Sequence, residues 1–189
     1  SSPHASIEAM ASDYVALLLE VQPLGPYFLA GYSFGGQVAY AMSQILLARG
    51  ETIGLLAIVD AFAPGAIANS ASPLLDDGHL LIELVHHVLT LDPDDLANLS
   101  PVEQRAYVGR RLELAGLLPE GGGSDHLRCL LSVFRANLQM HREYSPESPR
   151  SVPISLFRSS ELREDERPEP ALGEDLGWGR FSSRTVPIH

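Results

Sequence analysis

The residues best suited to chemistry lie in Ala30-Gly31-Tyr32-Ser33-Phe34-Gly35-Gly36. A short apolar run, Pro26-Tyr27-Phe28-Leu29, comes before them, and a helical pattern begins near Gly35. Strand, then Gly-x-Ser-x-Gly, then helix is the context of a nucleophile elbow. The turn is sharp and holds a serine hydroxyl out on a tip. On this reading Gly31 and Gly35 lack a Cβ so that strand and helix can approach each other. The backbone N–H of Phe34 then points where an oxyanion would form. The alternative is a Gly-rich connector without chemistry, and the pentapeptide alone does not separate the two.

A second candidate lies 27 residues further on. Ile53 to Val59 is a continuous apolar run, read as a buried parallel strand, and Asp60 ends it. A carboxylate at the C-terminal end of such a strand lies on the edge where open α/β sheets bind ligands. Beside the elbow it reads as the acid that orients a general base. The alternative is a turn or N-cap aspartate. Glu161, after a later apolar run, is the other candidate acid.

The elements around these residues follow from periodicity. Residues 6–22 are expected to form a helix, with Ser6 as N-cap and Met10, Tyr14, Leu17, Leu18 and Val21 on its buried face. Pro23 to Pro26 turn the chain into a strand at 26–30, whose unbroken apolar character predicts a central strand covered on both faces. Residues 35–49 read as a second helix, with Gly50 as its stop. The unit from 26 to 59 is a strand–helix–strand crossover, right-handed by default.

Beyond Ala61 the character changes. Helical patterns near 78–90, 101–116 and 124–144 are separated by Asp92-Pro93-Asp94-Asp95 and by Pro119-Glu120-Gly121-Gly122-Gly123. The predicted organisation is one domain: an α/β core at 1–63, a helical lid insertion at 64–145, and the rest of the core at 146–189. The glycine run reads as a hinge. His79, His86 and His87 lie in the first lid helix, and adjacent histidines do not share a helix face, so they read as solvated or packed groups, not as a metal site. His126 and His141 take the same reading. Val152 to Phe157 is strand-like, Trp178-Gly179 reads as a turn, and Val186 to His189 opens a further strand.

Composition narrows the function classes. Of 189 residues, 45% are hydrophobic and 20% charged, as in soluble globular proteins, and the net charge is −11. That balance argues against nonspecific binding to nucleic acid or to an anionic membrane. No apolar run is long enough to span a bilayer, and the N-terminus does not read as a signal peptide. One cysteine, Cys129, excludes an internal disulfide, fits a reducing cytoplasmic setting, and lies in an apolar helical run that predicts a buried thiol. The glycine motif has neither the lysine nor the spacing of a phosphate loop.

Several stretches taken together are similar to a known family. They are Ser6-Ile7-Glu8-Ala9-Met10-Ala11, Gln22-Pro23-Leu24-Gly25-Pro26-Tyr27, Gly31-Tyr32-Ser33-Phe34-Gly35-Gly36 and Val59-Asp60, with Tyr144-Ser145-Pro146, Val152 to Arg158 and Leu176-Gly177-Trp178 further on. The chain resembles the thioesterase domains that end nonribosomal peptide synthetases and polyketide synthases. The resemblance implies an α/β-hydrolase fold: a mostly parallel central sheet flanked by helices, with a helical lid. It makes Ser33 the nucleophile, Asp60 the acid, and Phe34 N–H part of the oxyanion hole, with Gly31, Tyr32, Gly35 and Gly36 forming the elbow.

It implies no bound cofactor or metal. The substrate would be an acyl or peptidyl chain presented on the phosphopantetheine of an upstream carrier protein, and release would be by hydrolysis or macrocyclisation. Such domains carry their general base in a Gly-Asp-His type loop after the strand that Val186 to His189 opens, so the catalytic histidine is expected beyond residue 189. The chain therefore reads as a piece of a longer protein, with little activity as an isolated fragment. The rival readings are a free-standing editing thioesterase or esterase of the same fold, and a catalytically incomplete module that binds an acyl chain or a carrier protein.

Overall fold

The computed structural model describes residues 4–66, 76–86, 88–119, 121, 123–147, 150–159 and 173–189. The elements in chain order are α1 (Ile7–Val21), β1 (Tyr27–Tyr32), α2 (Phe34–Ala48), β2 (Ile53–Val59), α3 (Asp77–Val85), α4 (Pro93–Ala97), α5 (Pro101–Leu114), α6 (Gly123–Glu143) and β3 (Ile154–Phe157), with a 3-10 turn at Trp178–Phe181. The chain forms two compact units, one from Ser1–Ser70 with Leu138–His189 and one from Ala71–Asn137.

The first unit is built on a parallel sheet of order β1-β2-β3. A further parallel bridge joins Leu156 to Ile188, so the stretch at Val186 begins to pair beside β3 as the sequence predicts. Ser6 caps α1 by accepting from Ala9 N–H at 3.2 Å. Helix α1 fully buries Ile7, Ala11 and Val15; of the expected face only Met10 and Leu18 pack partly against the core. Tyr14, Leu17 and Val21 are exposed, Val21 at 86%. Both stripes have helical spacing, and the smaller side chains take the inner one because α1 lies close against α2.

Strand β1 also departs from expectation. Its inward residue Tyr27 is buried, but Phe28, Ala30 and Tyr32 are exposed, and β1 lies at the edge of the described sheet. The Phe28 ring covers Gly54 of β2, where an added Cβ would stand 2.9 Å from the ring. The core gathers around Trp178, which is fully buried. Tyr40, Trp178 and Phe181 meet edge to face, with centroids 5.2–6.0 Å apart.

The second unit is helical. Asp76 caps α3 through His79 N–H, and Asp77 takes ion pairs from Arg105 and Arg135. The run at Asp92, expected as a separator, starts α4: Asp92 is the N-cap, Pro93 the first residue, and Asp94 and Asp95 fill the first turn. Helix α5 opens with a full capping box between Ser100 and Glu103.

Of the glycine run, Gly121 and Gly123 are among the described residues. Gly123 is buried, and an added Cβ would lie 2.8 Å from Gly109 Cα. Glu113 Oε1 accepts from both Gly121 N–H and Gly123 N–H, at 3.0 and 3.1 Å. Cys129 is exposed, on the side of α6 away from Leu127 and Leu131. Among the described residues no helix is long and apolar enough to cross a membrane.

Candidate active site

Strands β1 and β2 run in parallel register, with Gly31 opposite Ile58 and Tyr32 opposite Val59. Ser33 and Asp60 are the residues that follow the last register pair, so both stand at the C-terminal edge of the sheet. Ser33 N–H donates to Val59 O at 2.9 Å and binds one turn to the other. Both residues have left-handed backbone, with φ of 49° at Ser33 and 43° at Asp60. A non-glycine residue held there costs about 1–3 kcal/mol, a strain that the packing around it must overcome.

The packing at the elbow is explicit. An added Cβ on Gly31 would stand 2.1 Å from Gly35 O and 2.6 Å from Gly36 N. Side-chain adjustment cannot relieve a clash with backbone on the facing turn, so Gly31 is dictated by the close approach. Gly35 is not: its added Cβ would meet nothing within 4 Å. The second steric requirement falls on Gly36, whose Cβ would be 2.8 Å from Ala61 Cβ. The expectation for Gly35 thus moves one residue on, because position 36 faces the sheet while position 35 faces outward.

Ser33 is the N-cap of α2, yet its side chain makes no capping bond. Phe34 is the first helical residue, so its N–H has no intrahelical acceptor. An exposed hydroxyl therefore stands beside an N–H that has no acceptor among the described residues, at the positive end of a helix.

Asp60 is fixed from the β3 side. Its N–H donates to Phe157 O at 2.9 Å, and its Oδ1 accepts from Ser159 N–H at 2.7 Å. The loop behind it is held at four successive residues. Trp178 Nε1 donates to Ala61 O at 2.7 Å, and Gln37 Nε2 donates to Phe62 O at 3.3 Å. Ala63 N–H donates to Leu176 O at 3.0 Å, and Arg180 donates to Pro64 O at 2.7 Å. Leu176 itself has a φ of 52°.

Sequence reasoning missed these supports. The lone tryptophan was a signal, since a Trp that close to a polar turn needs an acceptor for its indole N–H. Gln37 is a signal as well: it is a polar residue within the apolar start of α2, and it is fully buried.

Glu161 lies outside the described residues. In the unit that carries Ser33, each histidine is engaged elsewhere: His4 on Asp13, His141 on Gln37, and His189 stacked on the Phe157 ring at 4.8 Å. Tyr32 and Gly36, the remaining elbow positions, are exposed and buried respectively.

Comparison with known proteins places the family and the fold. The chain is 38% identical over 103 residues to a dimodular nonribosomal peptide synthase of Bacillus subtilis, 54% of this chain and 4% of that protein. It is 42% identical over 71 residues to a non-reducing polyketide synthase of Pseudevernia furfuracea, 38% of this chain and 3% of that protein. The chain thus spans a few per cent of the length of the curated relatives it matches.

Among solved structures, a four-domain nonribosomal peptide synthetase bound to AMP and glycine superposes with a TM-score of 0.82 at 29% identity, over 100% of this chain and 14% of that one. The NocB thioesterase domain, in covalent complex with a fluorophosphonate nocardicin G analogue, superposes at 0.60 and 22% identity, over 100% of this chain and 65% of that one. The fold is that of the α/β-hydrolase thioesterases. A family model described as "Thioesterase domain" matches residues 1–109. The chain belongs to the thioesterase-domain family.

Proposed function

We propose that this domain releases an acyl, peptidyl or polyketide chain from the phosphopantetheine thioester of a carrier protein through an ester on Ser33. The observation that carries the reading is the backbone of Ser33: a strained, exposed serine, tied to the Asp60 turn, at the uncapped start of a helix. The Ser33 hydroxyl attacks the thioester carbonyl as a general base takes its proton. The Phe34 N–H donates to the developing oxyanion. The C–S bond then breaks, and the thiol leaves with the proton. Water, or an amine or hydroxyl of the chain itself, attacks the ester in a second half-reaction and restores the serine.

Asp60 orients the base. The bond from Ser159 N–H fixes the rotation of its carboxylate. The base is a histidine, carried by the family resemblance to a position beyond residue 189. By the same resemblance the helical unit serves as the lid. No cofactor enters the scheme beyond the phosphopantetheine arm of the substrate.

A fluorophosphonate probe on the full-length protein tests this reading. Labelling should map to Ser33 and vanish in Ser33→Ala. Asp60→Asn should slow labelling far more than Glu161→Gln. The reverse order would transfer the acid role to Glu161, and labelling that survives Ser33→Ala would remove Ser33 as nucleophile.

A further inference from the structure

Gln37 lies one turn beyond Ser33 on α2, and the environment of its amide dictates more than its own orientation. The amide nitrogen stands 3.3 Å from Phe62 O and 3.1 Å from His141 Nε2. A backbone carbonyl only accepts, so the amide presents its NH2 group there, not its oxygen. One hydrogen goes to Phe62 O. The other goes to His141, so Nε2 of that ring carries a lone pair and Nδ1 carries the proton.

Burial, assisted by the Arg142 charge, pushes the His141 pKa down to about 4, so the ring is neutral at physiological pH. The cost of the arrangement is visible on the other side of the amide. Gln37 Oε1 is buried and has no hydrogen-bond partner among the described residues. An orphaned acceptor of this kind costs about 1–3 kcal/mol. The amide tolerates it because both of its hydrogens are committed.

The bridge spans three elements. Gln37 is on the helix that starts at Ser33, Phe62 is two residues after Asp60, and His141 is in the last turn of α6. We infer that Gln37 and His141 form a positioning pair for acyl transfer: His141 orients the Gln37 amide, and Gln37 holds the loop behind Asp60 in register with the nucleophile helix. Neither residue touches the reacting atoms. The inference rests on the reading of Ser33 as nucleophile.

The test is the rate of fluorophosphonate labelling of Ser33 in the full-length protein, measured against probe concentration. Gln37→Met keeps the volume and removes both donors. It should lower the maximal labelling rate by about 10- to 100-fold and leave the half-saturating concentration unchanged, since geometry is disturbed and binding is not. His141→Phe should give a similar loss, and the double variant should be no worse than the poorer single one, because each removes the same bridge. His141→Gln, which returns an acceptor oxygen, should recover most of the rate.

A wild-type rate in Gln37→Met overturns the inference. So do additive losses in the double variant, or no recovery in His141→Gln. Should His141→Phe fail to fold, the Gln37→Met result decides. Should wild-type Ser33 take no probe at all, the reading of Ser33 fails and this inference with it. Normal labelling in both wild type and Gln37→Met removes the positioning role alone.

Discussion

Two helix starts in this chain use the same residue type to opposite ends. At Ser100 the hydroxyl accepts from Glu103 N–H, the Glu103 carboxylate returns to Ser100 N–H, and α5 begins with its first turn satisfied. At Ser33 the side chain makes no capping bond, the backbone has a φ of 49°, and the Gly36 N–H that a cap would take donates to the Ser33 carbonyl at 2.9 Å instead. Serine is among the best N-cap residues. The difference therefore lies in what surrounds it. Ser100 has an extended backbone, with φ at −64° and ψ at 159°, which turns its hydroxyl back over the helix. Ser33 is forced out of that conformation by the glycine contact beneath it. One start spends its serine hydroxyl on the helix, and the other leaves it exposed and outside any cap.

That contrast can be broken from the glycine side first. Gly31→Ala should be the most damaging change, at about 3 kcal/mol or more in chemical denaturation, since its Cβ collides with backbone on the facing turn. A fully folded, normally stable Gly31→Ala protein would mean that the elbow is not held by this contact.

Gly36→Ala comes next, at about 1–3 kcal/mol. Its collision is with the methyl of Ala61, so Ala61→Gly in the same chain should restore most of the lost stability. Independent, additive losses would place the strain elsewhere.

Paired serine substitutions then compare the two starts directly. Ser100→Ala should cost about 1 kcal/mol, whereas Ser33→Ala should leave the unfolding midpoint nearly unchanged and abolish probe labelling. The Ser100 bonds hold the Glu103 carboxyl below its usual range. The Ser100 contribution is therefore complete at neutral pH and fades as pH falls through the carboxylate range, so acid titration of the two variants should show convergence with wild type only for Ser100→Ala.

Gly35→Ala should have the smallest effect and the opposite sign. With open space around its Cβ and no left-handed φ, alanine should stabilise the protein by about 0.5 kcal/mol, read as a small rise in the melting midpoint. A loss there would restore the pentapeptide's second glycine to the role its motif assigns.

The elbow was legible in the sequence because strand, turn and helix each announce themselves locally. What could not be read was orientation. Tyr14, Leu17 and Val21 have as good a helical period as Ile7, Ala11 and Val15, yet they are exposed while Met10 and Leu18 of the same expected face pack partly inward, and only the presence of α2 decides between them. Position 36 outranks position 35 for the same reason, since the Ala61 methyl that selects it comes from the loop after β2. The proline and acids at 93–95 look like a break in the sequence but open α4, because proline interrupts a helix interior but suits its first turn. The supports of the Asp60 loop arrive from more than 100 residues away, at Trp178, Leu176 and Arg180. Sequence spacing carries no trace of such partners.

Strand β1 has a consequence for handling these residues by themselves. Among the described residues no strand pairs with its outer edge, where Phe28 is 72% exposed, with Leu24 and Val21 exposed nearby in sequence. An open strand flanked by apolar side chains is a template for a second chain. Where these residues are handled alone, association between copies is expected to begin at that edge, far from any question of catalysis.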